Sequence, residues 1–114
     1  MILHTVCFTF KEGISWESDK ALAAEKLTHL HPNHINEIKG WFCGRNISAR
    51  INSFDFLLLS VFESQNDLQS FIEHPTHQEA VEVWKQIADW EISDVDLNSK
   101  DEIYNGLKSL IPFV

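Results

Sequence analysis

The segment Phe54 to Phe62 sets Leu57, Leu58 and Leu59 in succession between phenylalanines, so a strand built from it is apolar on both faces. Successive strand side chains point to opposite sides of a sheet, and both sides here must be covered. One layer of helices covers one side. A chain of 114 residues is one domain by length, with a real core but no room for a second domain to cover the other.

The flanking sequence supplies the remaining elements. Ile2 to Phe10 alternates, with Ile2, His4, Val6, Phe8 and Phe10 on one strand face and Leu3, Thr5, Cys7 and Thr9 on the other. Lys11-Glu12-Gly13 ends this strand, and Ser15 or Ser18 can cap a helix running to about Leu30, with Ala23, Leu27 and Leu30 as its inner stripe. A loop from Pro32 to Glu37 leads to a second strand, Ile38 to Ile47, weakened or bulged at Gly40 and Gly44, and Arg50 to Ser53 forms a turn. After the Phe54 to Phe62 strand, Ser64 with Asp67 opens a helix whose stripe is Leu68, Phe71 and Ile72. Pro75 interrupts it, and Thr76 with Glu79 forms a capping box for a second helical piece carrying Ala80, Val83, Trp84 and Ile87. Trp90 to Leu97 returns to strand.

The order β-α-β-β-α-β is the ferredoxin-like signature of an α+β fold, an antiparallel sheet with its helices on one face. Strand one is apolar along one side and strand three along both, so the sheet needs a second cover, and a second copy of the chain supplies it. Hiding roughly 600 to 1,000 Å² of apolar surface per chain outweighs the cost of association, giving a C2 homodimer. Residues 98–114 follow as an extension in which Ile103, Tyr104, Leu107, Leu110 and Ile111 are spaced for a short helix packing on the domain or its partner.

Charge narrows the partners. With 17 acidic against 9 basic side chains, a formal charge of -8 repels phosphate backbones and anionic lipid, so neither nucleic acid nor membrane is an expected partner. No apolar run reaches the length of a membrane helix, and the start of the chain has no basic export signal. Cys7 and Cys43 form no metal-binding spacing and read as packed thiols in a reducing cytoplasm.

The run Phe62 to His77, from strand into capped helix and on to His74-Pro75-Thr76-His77, sets two imidazoles beside a helix junction. Together with Met1 to Phe10 and the Gly44-Arg45-Asn46-Ile47-Ser48 segment, it resembles the stress-responsive A/B barrel family over residues 1–97. The resemblance implies a dimeric α+β barrel formed by pairing two such sheets, with a cavity between sheet and helices bordered by the first strand and the His-Pro-x-His region. Among plant polyketide cyclases of olivetolic acid type, which the chain also resembles, the catalytic histidine falls on His77 and a pocket histidine on His4. Their catalytic tyrosine falls on Phe71 and a further histidine on Phe56, neither of which carries a polar group.

The expected site is therefore His77 as a base near neutral pH, with His4 as its orienting partner. Phe56, Phe71, His74 and Trp84 are the expected walls for a small apolar or aromatic ligand, and no cofactor is expected. His4 on an apolar strand face needs hydrogen-bond partners inside, and His77 is a candidate. The binding role stands first. The alternative is a cofactor-independent enzyme, a cyclase-like lyase or a monooxygenase, in which Trp41, Trp84 and Trp90 line an aromatic pocket. His29, His31 and His34 suit a helix C-terminus rather than a metal, and Asp55, Asp94 and Asp96 read as solvated charges, so no metal site is expected.

Overall fold

A computed structural model describes residues 1–97, and the helix expected over 98–114 lies outside them. Strand β1 (Ile2–Phe10) alternates buried and half-buried side chains from Ile2 to Phe8. β2 (Gly40–Arg45), β3 (Phe56–Phe62) and β4 (Ala88–Asp96) complete an antiparallel sheet in the order β2-β3-β1-β4. The two most apolar strands thus take the centre, where each has a neighbour on both edges. Val6 stands opposite Leu58 and Phe8 opposite Phe56 on one side of β1, while His4 meets Asp94 and Val6 meets Ile92 on the other.

β2 is shorter than the expected Ile38 to Ile47, because Ile47 is fully exposed in the loop beyond it. Its pairing runs residue for residue from Gly40 opposite Val61 to Arg45 opposite Phe56, so the glycines make no bulge. Gly40 has a packing reason instead: an added Cβ would lie 3.3 Å from a Val61 methyl carbon. β3 begins at Phe56 rather than Phe54, and Asp55 just before it accepts the Phe10 N–H at 2.8 Å. β4 starts two residues earlier than Trp90, with Ala88 buried against the end of the last helix.

Three helices cover one face. α1 (Asp19–Leu30) buries Ala21, Ala24 and Thr28, and of the expected Ala23, Leu27 and Leu30 it is Leu27 that packs, half-buried, against the core. Ala23 and Leu30 are exposed, since two alanines let the helix approach closely and Thr28 satisfies its own hydroxyl by donating to the Ala24 carbonyl at 2.8 Å. α2 (Gln65–Glu73) is capped by Ser64, whose hydroxyl accepts the Asp67 N–H. α3 (Pro75–Ile87) starts two residues earlier than a Thr76 cap requires. Pro75 fits the first turn, and His74 is the cap, its Nδ1 accepting the Thr76 N–H at 3.1 Å.

The helices take the Ile2, His4, Val6 and Phe8 side of β1, where all four are buried. The other face keeps Leu3, Leu57, Leu59 and Val61 half-buried and Phe42 and Val95 exposed. The result is a ferredoxin-like α+β fold with one open apolar sheet face.

Candidate functional site

Between the helix-side face of β1 and β4 and the inner faces of α1 and α3 lies a cavity of about 240 Å³. Val6, Phe8, Leu58, Trp84, Trp90 and Ile92 make most of its apolar wall, and His4, His31 and His77 are its imidazoles. The exposed Ile92 and Gln78 stand at its rim.

His4 is on the wall because β1 alternation turns it inward with Val6 and Phe8. Its partner is Asp94 rather than His77. The β1–β4 register sets the two residues opposite each other, and the Nδ1–H of His4 donates to Asp94 Oδ1 at 2.5 Å. Asp94, read from sequence as a solvated charge, therefore orients an imidazole whose body is packed edge-on against Phe62 and Phe71.

His77 faces the same cavity from the first turn of α3. Its ring lies on Phe71, centroids 4.3 Å apart, and its Nδ1 is 3.3 Å from Nε2 of His31. Burial, reinforced by the positive charges that His31, His4 and His74 would carry, pushes His77 down to about 4. Burial also lowers His31, against the opposing pull of its hydrogen bond to Leu27. Both rings are uncharged at neutral pH.

Sequence reasoning missed His31, which looked like a solvated helix-end histidine and is 1% exposed. α1 tightens at its end, so the backbone N–H of His31 reaches the Thr28 carbonyl, while ring Nδ1 meets the Leu27 carbonyl at 2.7 Å. Trp41 stacks on the ring at 5.4 Å. Both helix junctions carry a His-Pro-x-His run, His31-Pro32-Asn33-His34 and His74-Pro75-Thr76-His77, and in the fold the first histidine of one run meets the last of the other.

The remaining expected residues separate. Trp84 lines the cavity and gives its indole N–H to Thr28 Oγ1 at 2.8 Å. Phe71 is fully buried behind His77, and Phe56 is fully buried among Phe8, Trp16 and Trp84, off the cavity wall. His74 caps α3 and is likewise off the wall. His29 turns away to within 3.5 Å of the Cys43 sulfur, and burial holds that thiol up to about 11, so the pair is no thiolate nucleophile. Among the described residues no three His, Cys, Asp or Glu side chains converge as a metal site requires.

This geometry sits in a fold with known relatives. An uncharacterized protein of Streptomyces coelicolor is 31% identical over 96 residues, covering 84% of this chain and 99% of its own. A dimeric ferredoxin-like protein of unknown function from Thermobifida fusca superposes with a TM-score of 0.74 at 18% identity, over 84% of this chain and 90% of its own. The hydroxynitrile lyase of Passiflora edulis gives 0.72 at 18% identity, over 87% and 94%. At such identities the structural likenesses speak to the fold. The sequence profile of the stress responsive A/B barrel domain matches residues 2–110, and the chain belongs to that family.

Proposed function

We propose that this protein is a homodimeric A/B barrel whose cavity binds a compact apolar or aromatic molecule carrying a single polar group. The observation that carries the reading is the cavity itself: about 240 Å³ of mostly apolar and aromatic wall with His77 and His4 as convergent polar groups. An apolar ring is held by the wall, and a hydroxyl on it donates to the uncharged His77. Para-fluorophenol, followed by fluorine NMR, tests this against para-fluorotoluene, which has the same shape and no donor. The phenol should bind about tenfold more tightly, the effect of one net hydrogen bond. His77→Leu should erase the preference, and equal binding of both probes to the native protein would remove His77 from ligand recognition.

The two differently held imidazoles on one cavity favour a second reading, cofactor-independent proton transfer, with His77 as base and the Asp94-oriented His4, in the form that carries a second proton on Nε2, as its acid. A small ketone offered in heavy water should then exchange the hydrogen beside its carbonyl faster with native protein than with His77→Leu. Exchange equal in the two would leave binding alone.

The homodimer reading rests on the open face of Leu3, Phe42, Leu57, Leu59, Val61 and Val95, which a second sheet covers as the family likeness implies. Phe42→Glu buries a charge in that contact and should shift light-scattering mass from dimer to monomer at micromolar concentration. A monomeric native protein would sink the two-sheet arrangement. The two free cysteines accord with a reducing compartment such as the cytoplasm.

A further inference from the structure

We propose that His31 is a positioning residue: it fixes His77 in the tautomer whose Nδ1 carries the proton, leaving Nε2 as an unprotonated acceptor for the cavity. A carbonyl oxygen can only accept. With Leu27 O at 2.7 Å, His31 Nδ1 must carry a proton. A neutral imidazole has one proton, so Nε2 of His31 is a lone pair, and the His77 Nδ1 that meets it at 3.3 Å must be the donor.

The alternatives are worse. If His77 Nδ1 were the acceptor, a neutral His31 would turn a bare Nδ1 lone pair on the Leu27 carbonyl. A doubly protonated His31 would satisfy both contacts but place a cation on a ring that is 1% exposed. The stacking of Trp41 and the tilted ring of Phe71, 6.0 Å away, prevent the ring from turning out of this arrangement.

The consequence separates His31 from an ordinary packed residue. A histidine side chain in water favours the proton on Nε2, so the Leu27–His31–His77 chain inverts the intrinsic preference. An imidazole does for His77 what a carboxylate does in the catalytic triad, without adding a negative charge that would raise the basicity of the ring. His77 thus stays uncharged and accepting at neutral pH. Because the chain ends on a backbone carbonyl, a proton taken up at Nε2 cannot leave through His31 and departs again from the cavity side, to the ligand or to water at the rim of Gln78 and Ile92.

The inference deepens the cavity reading above, and its test needs no ligand. Long-range proton–nitrogen correlation spectra of the labelled full chain distinguish the two tautomers, with His77→Gln identifying the His77 signals by their loss. Native His77 should show the pattern of a protonated Nδ1. In His31→Leu, the Nε2 signal should move by tens of ppm toward the protonated range, and His31→Gln, whose amide can donate and accept, should restore the native pattern. A protonated Nε2 in native protein overturns the proposal, as does a tautomer unchanged in folded His31→Leu. Should His31→Leu fail to fold, the native spectrum and His31→Gln still decide. Failure of phenol binding would overturn the cavity reading and leave these spectra as they are.

Discussion

Trp84→Ala is expected to remove about 4 kcal/mol of folding stability, close to half of what a domain of this size has. Trp84 is 3% exposed and ties the helix layer to the sheet. Its ring stacks on Phe8 of β1 at 4.1 Å and meets Phe56 of β3 in a tilted contact at 5.3 Å, and its N–H reaches Thr28 of α1. Truncation loses the transfer free energy of an indole and leaves a hole that rigid sheet residues cannot close. The Thr28 hydroxyl still donates to Ala24, so the lost hydrogen bond is the smaller part of the cost.

Two further variants separate the contributions. Trp84→Phe keeps the stack and loses the N–H, so its cost should stay near 1 to 2 kcal/mol. Because the hole joins a cavity that is already there, added indole should recover part of the stability of Trp84→Ala by binding to the folded state alone. Urea unfolding at fixed protein concentration measures all three, since a dimer's apparent stability changes with concentration. A loss below 1 kcal/mol in Trp84→Ala would show that Trp84 does not tie sheet to helices.

The parts of the fold that were legible are those fixed by local period. β1 follows from alternation, β3 from its unbroken apolar run, and the start of α2 from Ser64 with Asp67 three residues on. The α1 stripe was not legible because its third member is Thr28, a polar residue that becomes a core residue only once Ala24 and Trp84 occupy its hydroxyl. The site divides in the same way. His4 stands out as a polar group on an apolar strand face and His77 through the family resemblance of its His-Pro-x-His run, whereas Asp94 acquires its role from strand register, which no local pattern contains. His31 depends on a contact 46 residues away, and a helix-end histidine followed by Pro32 looks the same whether it faces solvent or another imidazole.

Acid should weaken the fold well before most carboxylates titrate, and His77 should be the largest single cause. Its folded value of about 4 lies below the unfolded value of 6.5, so between these limits the unfolded chain binds a proton that the folded chain refuses. Stability is therefore complete above pH 6.5 and is lost as pH falls toward 4. For this one group the linkage amounts to about 2 kcal/mol between roughly pH 7.5 and 5. His31, also lowered, adds loss in the same direction. The groups bearing on His77 are His31 from the end of α1, His74 from the start of its own helix, and His4 with Asp94 from the sheet. The imidazoles oppose its charging. Urea unfolding at a series of pH values should show the slope in native protein and most of it missing in His77→Gln, which keeps a polar side chain that cannot charge. An equal slope in both would mean that His77 accepts its proton while folded, as an exposed or relaxed ring does, and that the cavity wall opens in solution.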